Sequence, residues 1–159
     1  MGFKIRKATR EDMPSVLGLI KELANFENEP DAVEISIEDL VKDGFGENPA
    51  FEVFVAELER EIVGLALFYQ RYSTWKGNAI HLEDLIVHEK HRGKGIGKAL
   101  YTSVLKHAYN LGFKRVAWEV LDWNTPAIDF YKSTGAGILE GWRVVHMKEN
   151  ELKNFIEKN

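Results

Sequence analysis

Residues 80–98 read IHLEDLIVHEKHRGKGIGK. The run Ile80 to His88 has the apolar and β-branched character of a strand, and a charged, glycine-rich turn follows it. The turn opens an amphipathic helix from about Gly95 to Leu111, with Ile96, Leu100, Val104, Ala108 and Leu111 on one stripe that must face a sheet. Gly93, Gly95 and Gly97 carry no side chains where a ligand would approach the backbone. Free N–H groups at a helix start, together with the helix dipole, favour an anion. Arg92, Lys94 and Lys98 add positive charge at the same place. The physical reading is a pyrophosphate site.

Two common phosphate motifs fail here. For G-x-x-x-x-G-K-[ST], Arg92 stands where the first glycine belongs and Ala99 stands where Ser or Thr would hold magnesium. For G-x-G-x-x-G, the third glycine is replaced by Lys98 or Leu100, depending on the starting glycine. The pattern that fits is Arg-x-x-Gly-x-Gly, Arg92 to Gly97. Those six residues also fit a plain strand–helix turn on a basic surface, so the flanking elements have to decide.

Working outward, Phe51 to Leu58, Ile62 to Tyr72 and Asn78 to His88 read as consecutive antiparallel strands, with turns at Glu59–Glu61 and Lys76-Gly77. On the amino-terminal side, Phe3 to Ala8 is a short strand. Thr9 with Asp12 and Ser36 with Asp39 are capping-box helix starts, and the second helix ends at Gly44. On the carboxy-terminal side, Arg115 to Leu121 is a strand and Thr125 to Thr134 a short helix capped by Asn124. Ile138-Leu139 and Trp142 to Met147 read as two last strands, and Lys148 to Glu157 as a terminal helix. The order β-α-α-β-β-β-α-β-α-β-β, then a helix, predicts a mixed α/β (α+β) domain over residues 1–159. Its central sheet is mostly antiparallel, with helices on both faces.

Composition narrows the function. The 159 residues contain no cysteine, which excludes disulfides, thiolate catalysis and cysteine zinc sites. The five histidines form no H-E-x-x-H pattern, so no metal is expected. A net charge of -4 and a pI of about 5.8 argue against nucleic-acid binding. No run approaches a membrane span, and Met1 to Thr9 lacks a signal-peptide core, so a cytoplasmic, membrane-free protein is expected.

Arg92–Gly97, after a strand and before a helix, resembles the acetyl-CoA-binding signature of the GNAT acyltransferases, and the element order is the one expected of that fold. A second stretch, NTPAIDFY from Asn124 to Tyr131 followed by KSTGA, also resembles that family. The resemblance implies that backbone groups of Leu85, Ile86 and Val87 bond the pantetheine amides, and that the amides from Arg92 to Lys98 take the pyrophosphate. Tyr131, about two helical turns from Asn124, would protonate the departing CoA thiolate, since a phenol near pKa 10 is protonated at neutral pH. Alternatively, Tyr131 packs its helix on the sheet.

Glu83 and Asp84 are adjacent, and an ideal strand sends them to opposite faces. Glu83 is the candidate base for deprotonating an ammonium nucleophile, or a contact for a cationic substrate, or one half of a sheet-edge ion pair. Glu27, Glu29, Asp31 and Glu34 would attract an amine or simply form a solvated loop. Trp75, Trp118, Trp123 and Trp142 pack the core or wall a cationic acceptor.

More closely, IRKATREDM, LIKELANFE, DGFGENP, YSTWKG, HLEDLIV, RGKGIG, VLDWN, FYKSTGA and EGWR resemble the spermidine/spermine and thialysine acetyltransferase family. That implies an acetyl-CoA-dependent amine acetyltransferase acting as a homodimer, with Tyr131 as acid. It places acceptor contacts on Phe26, Glu27 and Glu83, and CoA contacts on residues 85–87, Gly93, Lys94, Gly95, Ile96, Gly97, Lys98 and Asn124. Where the polyamine branch carries Asp-Pro-Trp, this chain has Ser73-Thr74-Trp75. That favours a lysine-like or diamine primary amine of a small molecule over a polyamine. A protein amine as acceptor, and a non-catalytic CoA-binding module, are the remaining readings.

Overall fold

The computed structural model describes residues 2–159. The chain divides into two compact units, the first ending at Glu119 and the second spanning Val120–Asn159.

The first unit is a five-stranded sheet in the order β1 (Lys4–Lys7), β2 (Glu52–Leu58), β3 (Glu61–Ser73), β4 (Gly77–Val87), β5 (Val116–Ala117). The first three pairings are antiparallel and β4–β5 is parallel. Helix α1 (Met13–Phe26), entered through a 3-10 turn at Arg10–Asp12, and α2 (Ile37–Phe45) join β1 to β2, and α3 (Ile96–Asn110) joins β4 to β5. Both capping boxes foreseen at Thr9/Asp12 and Ser36/Asp39 form. Helix α2 runs one residue past Gly44, to Phe45.

Strand alternation sorts the core into two layers. Val53, Val55, Leu65 and Leu67 pack with Met13, Val16, Leu17, Ile20 and Leu40 of α1 and α2. The alternate residues turn the other way: Leu100 of α3 lies beside Gly64, and His107 of α3 packs on the rings of Phe54 and Phe68. Helices therefore cover both faces of a mostly antiparallel sheet, as expected. Ile96, Leu100, Tyr101, Val104 and Ala108 are the buried stripe of α3, whereas Leu111, at its C-cap, is 50% exposed.

The second unit holds α4 (Thr125–Ser133) and α5 (Glu149–Glu157). The strands expected at Ile138-Leu139 and Trp142 to Met147 do not form, and Leu139, Trp142, Val145 and Met147 are exposed. An extended segment becomes a strand only beside a partner edge, and among the described residues none pairs with this one. The strand expected over Arg115 to Leu121 shrinks to Val116–Ala117 for the same reason.

Candidate active site

The turn after β4 is shaped by backbone conformation. Gly93 (φ 75°) and Gly95 (φ 79°) occupy the left-handed region, where a Cβ is strained. A Cβ at either would meet nothing within 4 Å, so conformation, not crowding by the protein, calls for glycine there. Gly95 is the N-cap of α3, and Ala99 N–H donates back to its carbonyl at 3.0 Å. The amides of Ile96, Gly97 and Lys98 belong to the helical turn that has no intrahelical acceptors and face the turn. Ile96 is 1% exposed, and its side chain belongs to the core.

Arg92 does more than add charge. Its Nε donates to the Val87 carbonyl at 3.0 Å, and its guanidinium lies 5.5 Å from the Phe26 ring centroid and 3.8 Å from Glu22 Oε1. Glu22 also accepts from Glu89 N–H at 3.0 Å. These contacts tie the turn to the last turns of α1. Lys94 Nζ sits 3.4 Å from His91 Nδ1, and Lys98 is exposed on the first turn of α3.

Beside the turn, β4 offers a bare edge. Strand β5 pairs with it only at Ile80↔Val116 and His81↔Ala117. Past His81, the edge of β4 opposite β3 has no strand partner among the described residues, and this stretch includes Leu85, Ile86 and Val87. An extended molecule with amide groups can hydrogen-bond such an edge as an added strand does. Bare edge and amide-lined turn are contiguous, so these residues fit an acyl-CoA, with its pantetheine amides and pyrophosphate.

The face of β4 toward α1 and α2 differs from the ideal strand. In the β3–β4 register Leu67 opposes Asp84 and Phe68 opposes Leu82, which leaves Glu83 as the extra residue of a β-bulge. The bulge cancels one alternation. Glu83 and Asp84 therefore do not point to opposite faces; both line one cavity of about 300 Å³ with Ile20, Ile35, Leu40, Leu67 and Phe51, and with Asp39 and Asp43 at its α2 side.

The two carboxylates differ. Glu83, with its side chain 50% exposed, accepts from the Tyr69 hydroxyl at 3.1 Å, and His81 Nε2 lies 3.3 Å from the same oxygen. Arg71 stands 3.3 Å from His81 Nδ1; an arginine can only donate, so that nitrogen accepts and Nε2 carries the proton toward Glu83. Asp84 has neither a hydrogen-bond donor nor a cation on its carboxylate among the described residues, and it is only partly accessible. Burial, then the charges of Glu83 and Glu27, push it up to about 6. Burial also raises Glu27, just past the end of α1. Sequence reasoning missed Asp84 because alternation assigned it to the wrong face. It also missed Tyr69 and His81 as partners of Glu83.

Of the aromatic candidates, Phe26 carries Arg92, whereas neither tryptophan lines the acidic cavity. Trp75 is 76% exposed in the β3–β4 turn, and Trp118 packs edge-on against Tyr101 of α3 at 5.5 Å. In the second unit, the Asn124 side chain caps α4 by accepting from Ala127 N–H at 3.4 Å. Tyr131 is 9% exposed on α4, its ring 5.5 Å from that of Phe130. Among the described residues there is no group of three or more His, Asp or Glu side chains arranged to hold a metal ion, and no helix long and apolar enough to cross a membrane.

Comparison with known proteins agrees with this arrangement. The acetyltransferase (GNAT) family profile matches residues 16–136. A thialysine N-epsilon-acetyltransferase from Bos taurus is 39% identical, over 97% of each chain. One from Mus musculus is 42% identical, over 87% of this chain and 88% of that protein. Among solved structures, an integron cassette protein from the mobile metagenome of V. cholerae has the same fold, with a TM-score of 0.81 at 24% identity over 99% of each chain. With fold, turn and family agreeing, the chain belongs to the GNAT family and is an acetyl-CoA-dependent N-acetyltransferase.

Proposed function

We propose that this enzyme acetylates the primary amine of a small molecule, either a lysine-like amino acid with a side-chain amine or a diamine, by direct attack on acetyl-CoA. The observation that carries the reading is the small cavity beside the bare edge of β4, apolar in its walls and carboxylate-lined at Glu83 and Asp84. A volume of about 300 Å³ suits an acceptor of a few heavy atoms better than a protein segment. The names of the similar proteins, thialysine acetyltransferases, support the same class.

In this reading, the Arg92–Lys98 turn holds the pyrophosphate, and Leu85, Ile86 and Val87 hold the pantetheine amides through backbone. Phe26, Glu27 and Glu83 receive the cationic acceptor, and Asn124 braces α4. Tyr131 gives a proton to the departing sulfur; this role rests on the pattern Asn124 to Tyr131. Positioning one amine against one thioester supplies much of the acceleration, so no covalent enzyme intermediate is needed. Residues 1–159 act as one domain, as a homodimer in the cytoplasm. Asp39 and Asp43, on the far side of the cavity from β4, favour a polyamine as the second choice of acceptor.

The test is thioester consumption over a panel of L-thialysine, L-lysine, 1,4-diaminobutane, spermidine and a lysine-containing peptide. The small mono- and diamines should give the highest kcat/KM; highest turnover on the peptide would overturn the reading. Tyr131→Phe should lower kcat about 10²-fold or more and leave acetyl-CoA binding nearly unchanged. A variant with parental kcat across pH would remove the acid role.

A further inference from the structure

His81, like Asp12, is a polar side chain that the fold buries, at 7% exposure. Buried polar groups need partners. His81 sits where β4 changes character. His81↔Ala117 is the last pair of the parallel β4–β5 ladder, and Tyr69 opposes His81 on the β3 side. The backbone of His81 is thus clamped along both edges, whereas Glu83, two residues on, lies in the bulge beside the bare edge. Leu67, Tyr69 and Arg71 share one face of β3 by alternation, and His81 and Asp84, opposite Tyr69 and Leu67, share it too.

Four side chains meet on that face. Arg71 Nη1 is 3.3 Å from His81 Nδ1, which leaves the ring proton on Nε2. Nε2 lies 3.3 Å from Glu83 Oε2, and the Tyr69 hydroxyl donates to the same oxygen at 3.1 Å. The Tyr69 and His81 rings are 5.2 Å apart. Burial, then the charge of Glu83, raise the Tyr69 phenol, which keeps it a donor. The other charged groups around Glu83 are Asp84 on its own strand, Glu27 after α1, Asp39 and Asp43 on α2, and Glu119 past β5, which acts on Tyr69. All five are acidic and oppose a further negative charge at Glu83. The donors at Oε2, with Arg71 behind them, favour it.

We propose that His81 is a positioning residue for acetyl transfer: its Nε2–H, fixed by Arg71, aims the Glu83 carboxylate at the acceptor and keeps it charged. This rests on the amine-acetylation reading above, in which Glu83 receives the cationic acceptor. A swinging carboxylate would hold that cation in several places, and a misplaced nucleophile loses rate steeply. Arg71 does not lose its proton at any working pH, so the tautomer of His81 stays set. His81 does not line the cavity; it acts through Glu83.

The experiment is kcat/KM against pH from 5 to 9, with acetyl-CoA and 1,4-diaminobutane or L-thialysine, whichever the parent uses better. His81→Phe keeps a ring and removes the donor. It should lower kcat/KM for the amine about tenfold or more, move the acidic limb to higher pH, and leave acetyl-CoA affinity within about twofold. His81→Gln, which places an N–H near the Nε2 position, should recover most of the rate and the parental limb. Added to Glu83→Gln, the His81→Phe change should cost less than about twofold, since the positioned group is already gone. An unmoved limb in His81→Phe, or an equal loss in both backgrounds, overturns the proposal. Nitrogen NMR of the parent at pH 8 should show the His81 imidazole protonated at Nε2. A proton on Nδ1 overturns the proposal too, whatever the folding of any variant. If the parent turns over neither amine while binding acetyl-CoA, the amine reading fails first; if the parent is active and His81→Phe matches it, only the His81 assignment fails.

Discussion

Asp12 and Asp84 are both carboxylates drawn away from water, in opposite circumstances. Asp12 is 9% exposed and fully engaged. It accepts from Arg6 at 2.7 and 3.0 Å, from the Thr9 amide at 2.7 Å and from the Thr9 hydroxyl at 3.2 Å. Arg6 also bonds Glu57 at 2.6 Å, which locks β1, β2 and the start of α1 together. Hydrogen bonds from Arg6 hold the Asp12 carboxyl below its usual range, and Asp12 and Glu57 together raise Arg6. Among the described residues Asp84 has no donor and two acidic neighbours, and its carboxyl is raised to about 6. One carboxylate stabilises the fold. The other lines a cavity beside like charges and is held there at a cost to the fold.

The largest effect should come from breaking the first arrangement. Asp12→Ala leaves Arg6 half-neutralised and partly buried and removes a cap, and should destabilise by about 3–4 kcal/mol in chemical denaturation. A loss under 1 kcal/mol would mean that the network adds little.

The second effect has the opposite sign. The folded-state pKa of Asp84 lies above the unfolded value, so its contribution is most favourable below about pH 4 and is lost as pH rises through 6. Asp84→Asn should therefore stabilise the protein by up to roughly 3 kcal/mol at pH 8, with the gain fading toward pH 4. Denaturant midpoints at both pH values measure this, and a destabilised variant at pH 8 would contradict the contrast. Asp12 follows the reverse rule. Its lowered pKa gives stability that is present above about pH 4 and lost on acidification.

Smaller effects sharpen the picture. Gly95→Ala, at φ 79°, should cost about 1 kcal/mol and weaken acetyl-CoA more than the acceptor. Equal loss for both ligands would point to general unfolding of the turn. Glu27→Gln removes the weaker of two like charges acting on Asp84 and should lower the Asp84 midpoint by a fraction of a unit, read by NMR. No movement would show that Glu27 does not reach it.

The strand–turn–helix at Ile80 to Leu111 was legible because periodicity, glycine placement and charge coincide within one short stretch. The two capping boxes were legible because each is a local contact over three residues. The site was less so. The bulge leaves no local mark in Leu-Glu-Asp-Leu, since it is a mismatch between two strands. Arg92 reads as a free cation until α1 brings Glu22 and Phe26 to it. Ile138 to Met147 has strand-like residues, yet among the described residues no edge pairs with them to make strands.

By itself, then, the sequence determined where helices start, which faces are apolar, and that an amide-lined turn follows a strand, because these depend on neighbours in the chain. Tertiary structure alone decided that Glu83 and Asp84 share a cavity and that burial and like charge raise the Asp84 carboxyl. Pairing register and burial are properties of elements brought together from distant parts of the chain, and no residue carries them alone.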